Sequence, residues 1–227
     1  MARPSLPALI TACVAVAVTI AGMGYAWTLR PPSAGSAAES SNEQDDLRCG
    51  TTTCRSVVST EVGTDTVEVL VGPDSGRIRT SGTTGRTIFE LTIAQQGASI
   101  GKDALQCVDA EVAVCLVRGA VGADTQGEAI VRRSGAWSRA ALPYVSTGGY
   151  LALHDVNGDG VVDVVAVQRA CATGTDCPNR YAQVFSVVGG NGGTTELGCT
   201  TVTPNAESLP GWPVITPDPT HLQPCGA

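Results

Sequence analysis

One short segment of the chain carries oxygen-bearing groups at the spacing of a calcium-binding loop. Gly160 at position 6 of the segment permits the sharp turn that folds such a loop around an ion. Ca²⁺ is a hard cation that takes roughly 6–8 oxygen ligands. We therefore predict Ca²⁺ as a cofactor, bound with water by the residues at positions 1, 3, 5, 7 and 9: Asp155, Asn157, Asp159, Val161 (through its backbone carbonyl) and Asp163.

The runs on either side of the segment distinguish it from an EF-hand. An EF-hand needs an acidic residue at position 12 and a helix on each side, whereas position 12 is Ala166 and the flanks GGYLAL and VVDVVAVQ are strand-like. Over residues 148–170 the sequence resembles the FG-GAP/VCBS family, which includes the head regions of integrin α chains. That resemblance implies a loop between two strands of a propeller blade, Ca²⁺ that stabilises the blade, and a role in binding or adhesion.

A plainer interpretation of the same residues is a hairpin turn with surplus acids, because Asn-Gly and Asp-Gly are the commonest hairpin turn dipeptides. The corresponding turns elsewhere in the chain, Gly63-Thr64-Asp65 and Asp109-Ala110-Glu111, lack the loop. If the loop binds Ca²⁺, its contiguous ligands saturate the ion and leave little room for a substrate. The expected role of the metal is therefore structural.

The cysteines indicate an oxidising compartment. Nine are present, and Cys13 lies in the N-terminal apolar segment, which leaves an even number that we expect to form four disulfides. Eight cysteines allow about 105 connectivities, and the spacing favours pairing between neighbours. The expected pairs are Cys49 with Cys54, Cys107 with Cys115, Cys171 with Cys177, and Cys199 with Cys225. Zinc is disfavoured because the chain has no C-x-x-C pair and only two histidines.

Strand signals dominate the chain after residue 48. Short β-branched or alternating runs are separated by Gly, Asp and Asn, and they lie at 56–62, 66–71, 87–93, 112–117, 128–132, 150–154, 161–167 and 182–188. Only 94–105 could hold a turn of helix. We predict an all-β domain over 49–202, a propeller-like repeat or a β-sandwich, in which paired strands recur about every 48 residues and a degenerate fourth unit starts near Thr195. Six prolines after Thr203 predict a C-terminal segment, 203–227, that wraps the surface.

The N-terminal residues predict a membrane tether. Residues 8–29 contain no formal charge and are bracketed by Arg3 and Arg30, and as a helix they would cross a hydrocarbon core of about 30 Å. The positive-inside bias places the following domain outside the cell. A cleaved signal peptide with Gly24-Tyr25-Ala26 as the cleavage site is the alternative. Residues 1–30 are thus a signal-anchor or transmembrane segment, and the Pro-, Ser- and acid-rich residues 31–48 are a flexible stalk.

Charge narrows the range of partners. After the first 30 residues the chain carries 12 basic and 21 acidic side chains, with Lys102 its single lysine. Such a domain repels phosphates, so nucleic-acid binding is excluded. We expect a membrane-tethered, extracytoplasmic bacterial module that binds an extracellular protein or glycan, or an accessory protein of the envelope.

The alternative function is a secreted or surface hydrolase. Gly97-Ala98-Ser99-Ile100-Gly101 matches G-x-S-x-G, the nucleophile elbow of α/β-hydrolases, and His154 or His221 could supply a base. That elbow works where a strand turns sharply into a helix, and no alternation of strands and helices surrounds it here. A hydrolase predicts a pocket in which Ser99 or a pair of acids meets a histidine, and a binding module predicts none.

Overall fold

Antiparallel strands that follow one another along the chain make up nearly all of the regular structure. The computed structural model describes residues 48–49, 52–140, 143–171, 177–188 and 195–226, which all fall within one compact unit, Glu43–Ala227. The predicted membrane segment and all of the predicted stalk except Arg48 lie outside these residues. Among the residues that are described, no helix has the length and apolar character needed to cross a membrane.

The first sheet is a four-stranded antiparallel meander preceded by a short ribbon. The ribbon pairs β1 (Arg48–Cys49) with β2 (Thr52–Thr53). The meander pairs β3 (Arg55–Val62), β4 (Asp65–Val71), β5 (Gly76–Gly82) and β6 (Gly85–Glu90) in sequence order. In β4 the alternation of the sequence DTVEVLV sends Val67 and Val69 to the interior and leaves Glu68 on the opposite face.

Two further sheets repeat this sequential pairing. The second contains β7 (Leu105–Val108), β8 (Ala113–Val121), β9 (Asp124–Arg133) and β10 (Ala136–Arg139), with β11 (Tyr144–Ser146) also paired to β9. The third contains β12 (Leu151–His154), β13 (Asp163–Arg169), β14 (Arg180–Ser186) and β15 (Thr195–Cys199). A single turn of helix, α1 (Thr92–Gln95), lies between the first and second sheets in the chain. The predicted all-β class is confirmed.

The sheets pack face to face around two apolar layers. One layer lies between the first and second sheets and the other between the second and third. The second sheet is therefore buried on both sides: Cys115 and Val117 of β8 face the first sheet, while Val114 and Leu116 face the third. Burial on both faces explains why β8 and β13 are nearly continuous aliphatic runs. Within the described residues the three sheets do not close into a barrel or a propeller.

The C-terminal segment covers the outer face of the third sheet. Leu209 and Ile215 are buried against Val165 and Val184, and short 3₁₀ turns occur at Ala206–Ser208 and Pro219–His221. The expected fourth unit is wrong. Its first strand, Thr195–Cys199, is the last strand of the third sheet, and residues 212–216 form no strand.

Four disulfides join neighbouring cysteines, as the spacing favoured. The bridges are Cys49–Cys54, Cys107–Cys115, Cys171–Cys177 and Cys199–Cys225. The first three close loops beside or within single sheets, and the fourth ties the C-terminal segment to β15. Each bridge stabilises the fold chiefly by restricting the unfolded chain.

Candidate calcium-binding loop and its surroundings

The predicted calcium loop joins the first two strands of the third sheet. His154 ends β12 and Asp163 begins β13, and these two residues are directly paired across the strands. Gly158 and Gly160 have φ of 73° and 83°, a left-handed conformation that glycine adopts without steric cost. The loop is thus a long hairpin connection between adjacent strands, the context that the sequence predicted.

The polar side chains of the loop hold its backbone in shape. Asp155 accepts hydrogen bonds from the N–H groups of Gly158 at 2.8 Å and Gly160 at 3.1 Å. Asn157 Oδ1 accepts from the N–H of Asp159 at 3.0 Å, and Asp159 Oδ1 accepts from the N–H of Val161 at 2.8 Å. The side chains of Asp155, Asn157 and Asp159 are exposed, so solvent or an ion can reach their remaining lone pairs.

Asp163 differs from the other acids of the loop because it is buried. Its exposed fraction is 0%, and its Oδ2 accepts a hydrogen bond from the N–H of Val156 at 3.2 Å. Its Oδ1 is buried without a hydrogen-bond partner. Burial raises the pKa of Asp163, the backbone N–H groups of Val156 and Asn157 lower it, and the charges of Asp159 and Asp155 add to the rise. Together these effects place the pKa at about 6. A buried carboxylate with an unpartnered oxygen is costly in its charged form, and a bound cation would offset that cost.

The donor set suits a hard cation, although the carboxylates do not converge on one point. Three carboxylates, one amide oxygen and one backbone carbonyl are ligands of the type that Ca²⁺ prefers. Among the described residues, no group of three or more His, Cys, Asp or Glu side chains is arranged to hold a metal ion. In this conformation the loop acids bind backbone N–H groups, and only Asp163 Oδ1 lacks a partner.

Asp65 occupies the position in the first sheet that Asp163 occupies in the third. It begins the second strand of its sheet and is only 4% exposed. Its Oδ2 accepts from Trp137 Nε1 at 2.8 Å and from Arg132 Nη1 at 3.2 Å. A cationic side chain from the second sheet thus neutralises this carboxylate. In the described part of the chain, no basic side chain forms an ion pair with Asp163.

Sequence reasoning missed the cluster of Asp65, Arg132 and Trp137. A signal was present, because Asp65 is the last residue of the turn Gly63-Thr64-Asp65, which corresponds to the calcium loop. Its partners lie 67 and 72 residues further along the chain, and no local pattern announces them. Trp137 is therefore committed to a carboxylate, while Trp212, the other tryptophan of the domain, is 44% exposed.

The histidines occupy different environments. His154 is half-buried, and its Nε2 lies 2.7 Å from the hydroxyl of Tyr150, which in turn accepts a hydrogen bond from the N–H of Ile215 at 3.1 Å. Burial lowers the pKa of His154. His221 is exposed and lies 3.4 Å from the carboxylate of Asp218. His154 thus links the third sheet to the C-terminal segment that covers it.

Ser99, the serine of the G-x-S-x-G match, lies at a groove that contains no histidine among the described residues that line it. Its backbone pairs with Ala120 through hydrogen bonds of 2.8 and 3.1 Å. The single helical turn nearby, Thr92–Gln95, precedes Ser99 instead of following it. The strand-to-helix turn on which a nucleophile elbow depends is absent at this serine.

Known proteins offer no guide to this chain, because no family model matches it and neither the curated proteins nor the solved structures contain a significant match. Three features of the described residues bear on function: the calcium-type loop, the local disulfides and the groove beside Ser99.

Proposed function

We propose that the chain is a membrane-tethered, extracytoplasmic binding module whose sheet stack is stabilised by one Ca²⁺. Residues 8–29 would anchor it, and the three meanders would be copies of one propeller-like unit of the FG-GAP/VCBS type. In support, four disulfides accord with an oxidising compartment, and the first strands of the three meanders start at comparable intervals, at Arg55, Leu105 and Leu151.

The free oxygen of Asp163 is the observation that carries the calcium proposal. Burying an unpaired carboxylate is costly, and Arg132 relieves that cost at the matching residue Asp65. Ca²⁺ would relieve it at Asp163, with Asp155, Asn157, Asp159 and the Val161 carbonyl as the other ligands. The bound ion would supply charge neutralisation and a fixed link between β12 and β13, which is a structural role.

A binding role suits the rest of the molecule. Loops on a rigid scaffold commonly carry recognition, and here the stack holds its loops between strands whose registers are fixed by pairing. The acidic balance of the chain excludes nucleic acid. The partner would be an extracellular protein or a glycan, reached by a domain that the stalk holds away from the membrane.

Calorimetric Ca²⁺ titration of the full chain, purified in a neutral detergent, tests the calcium proposal. The wild-type chain should bind one equivalent, and Ca²⁺ should raise its thermal midpoint because a ligand that binds only the folded state stabilises it. The Asp155→Ala/Asp159→Ala variant should lose both the heat and the stabilisation.

A matched control keeps the change in net charge the same. Asp74 and Glu111 are exposed acids at turns of the first and second sheets, and Asp74→Ala/Glu111→Ala should bind Ca²⁺ like the wild-type chain. If wild-type protein shows neither heat nor stabilisation, residues 155–163 are an acidic hairpin turn and the calcium proposal is wrong.

A further inference from the structure

A polar groove lies between the second and third sheets, at the end of β12 remote from the calcium loop. Its volume is about 320 Å³, and Ser99, Asp103, Arg118, Thr125 and Tyr150 contribute to its lining. That volume lies at the lower end of the roughly 300–1,000 Å³ typical of small-molecule sites. The groove can therefore accept a small ligand without any movement of the sheets.

Arg118 places a cation where the neighbouring positions are apolar. It follows Val114 and Leu116 on the face of β8 that meets the third sheet, and it is half-buried. A guanidinium carries five N–H donors. In the described part of the chain, the only acceptor that the Arg118 guanidinium meets is the backbone carbonyl of Leu151, and no carboxylate there forms an ion pair with it. Most of its donors remain available to a ligand.

Asp103 supplies the opposite charge in the same groove. It is exposed, and within the described ranges its carboxylate forms neither a hydrogen bond nor an ion pair. Arg118 and Asp103 thus line one groove without pairing with each other. By contrast, five other arginines of the described sheets pair with a carboxylate, among them Arg79 with Glu68 and Arg139 with Glu128.

Glycines keep the groove open between these charges. A Cβ added at Gly101 or Gly149 would have no atom within 4 Å, so both residues leave space that a ligand can fill. Gly149 has φ of 85°, a conformation that excludes most side chains. The φ of Gly101 lies outside that region, so a side chain can be introduced there without backbone strain.

We propose that this groove binds a small zwitterion, an amino acid or a dipeptide, with the ligand carboxylate on Arg118 and its ammonium group on Asp103. Arginine is well suited to a carboxylate because its planar fork can donate two parallel hydrogen bonds. The acidic balance of the domain repels free anions, which favours a ligand without net charge. The groove is formed by residues other than those of the calcium loop, so this site is independent of the cation.

Calorimetric titration of the full chain in neutral detergent and saturating CaCl₂ tests the site with three probes. Alanyl-alanine carries both charges, N-acetyl-alanyl-alanine only the carboxylate, and alanyl-alanine amide only the ammonium group. The first should bind, and each of the others should bind about 10-fold more weakly or worse, since each loses one charge-assisted contact. Equal binding of the acetylated and free dipeptides would overturn the role of Asp103.

Two variants and a control locate the binding. Arg118→Gln should weaken alanyl-alanine binding by about 10-fold or more. Gly101→Leu removes no side-chain contact but adds a bulky side chain at a position that lines the groove, and it should weaken binding even if Arg118→Gln folds poorly. Arg133→Gln is the matched control, because Arg133 also donates to a backbone carbonyl, that of Val187 directly after β14, at 3.3 Å, outside the groove.

The control should bind alanyl-alanine like the wild-type chain. Absence of wild-type binding at about 10 mM probe, or wild-type affinity in both groove variants, would overturn the proposal. Neither outcome bears on Ca²⁺ binding by residues 155–163, which the separate calcium titration measures.

Discussion

Asp65 and Asp163 begin equivalent strands of the first and third sheets, but the two carboxylates have different hydrogen-bond partners. Asp65 receives hydrogen bonds from Arg132 and Trp137. Asp163 receives a hydrogen bond from the N–H of Val156 on Oδ2, and its Oδ1 is buried without a hydrogen-bond partner. The corresponding residue of the second sheet is Ala113, which is fully buried. The charge of Asp65 is neutralised by a fixed cationic side chain, that of Arg132. At Asp163 we propose that an exchangeable cation, Ca²⁺, has this role.

The pH dependence of stability without Ca²⁺ should report on Asp163. Its pKa in the folded chain, about 6, lies above the ordinary value of 3.8, so between these values the folded state keeps a proton that the unfolded state has lost. This group therefore favours folding below pH of about 4, and its contribution is lost as the pH rises to about 6. Relative to Asp163→Asn, the wild-type chain should lose about 1–3 kcal/mol across that window.

Urea unfolding in a calcium chelator at several pH values measures this difference. Glu111→Gln, which alters an exposed acid on a turn of the second sheet, should follow the wild-type curve. In saturating Ca²⁺ at pH 7 the wild-type chain should be more stable than Asp163→Asn. Parallel curves for wild type and Asp163→Asn in the chelator would contradict the expected titration.

Strands made of aliphatic runs could be predicted from the sequence, whereas strands rich in polar residues could not. The sequence identified β8 and β13 because both faces of each are buried. It missed β5, whose sequence GRIRTSG alternates Arg77 and Arg79 with inward residues, because arginine and glycine do not mark a strand. These arginines are tolerated because they pair with Glu90 and Glu68 on the outer face of the first sheet.

The expected strand 87–93 also ends early for a reason that local sequence does not contain. The strand stops at Glu90 and α1 begins at Thr92. The buried carboxylate of Glu128 accepts hydrogen bonds from the N–H of Ile93 at 2.7 Å and the hydroxyl of Thr92 at 2.6 Å. This contact spans 35 residues, so tertiary structure overrides the strand propensity of the run. The long hairpin connection that contains residues 155–163 could be located in the sequence because all of these residues lie within nine positions.

Arg132 should be essential to the junction of the first two sheets. It donates to the Val62 carbonyl at 2.8 Å and pairs with both Asp65 and Asp109. Arg132→Gln leaves the buried carboxylate of Asp65 without its cation, so we expect the free energy of unfolding in urea to fall by about 2–4 kcal/mol.

A second substitution should separate the cost of the unpaired Asp65 charge from the cost of lost packing at residue 132. Asp65→Asn in the Arg132→Gln background removes the unpaired carboxylate and should recover part of the loss. Arg169 forms a partly exposed ion pair with Asp124 at 3.6 Å, so Arg169→Gln is the control and should cost less than about 1 kcal/mol. Equal losses for Arg132→Gln and Arg169→Gln would contradict the role of Arg132.

Across the whole molecule, both ends of the sheet stack are closed to further sheets. The C-terminal segment covers the third sheet with Leu209 and Ile215. The outer face of the first sheet carries the Glu68–Arg79 and Arg77–Glu90 ion pairs. Neither face presents the bare apolar surface that another sheet would need. The described stack therefore ends at three sheets, as a repeat array ends at capping elements with polar outer faces.

The Cys199–Cys225 bridge should contribute more to stability than the Cys171–Cys177 bridge. Their sequence separations are 26 and 6 residues, and the loop-closure model assigns about 3.5 and about 2 kcal/mol to loops of these lengths. Cys199→Ser/Cys225→Ser also releases the segment that buries Ile215. We expect it to lower the urea midpoint further than Cys171→Ser/Cys177→Ser. The reverse order would show that the C-terminal cover does not depend on its bridge.

The order of the bridges along the chain has a consequence for the export that we propose. Every bridge joins a cysteine of the domain to the next cysteine in the sequence. A domain threaded across a membrane from its N-terminus would therefore present each native partner directly after the first cysteine of the pair. An oxidase that joins successive thiols as they emerge would produce only native bridges. If the domain is exported as we propose, it would need no disulfide isomerase to reach its native pairing.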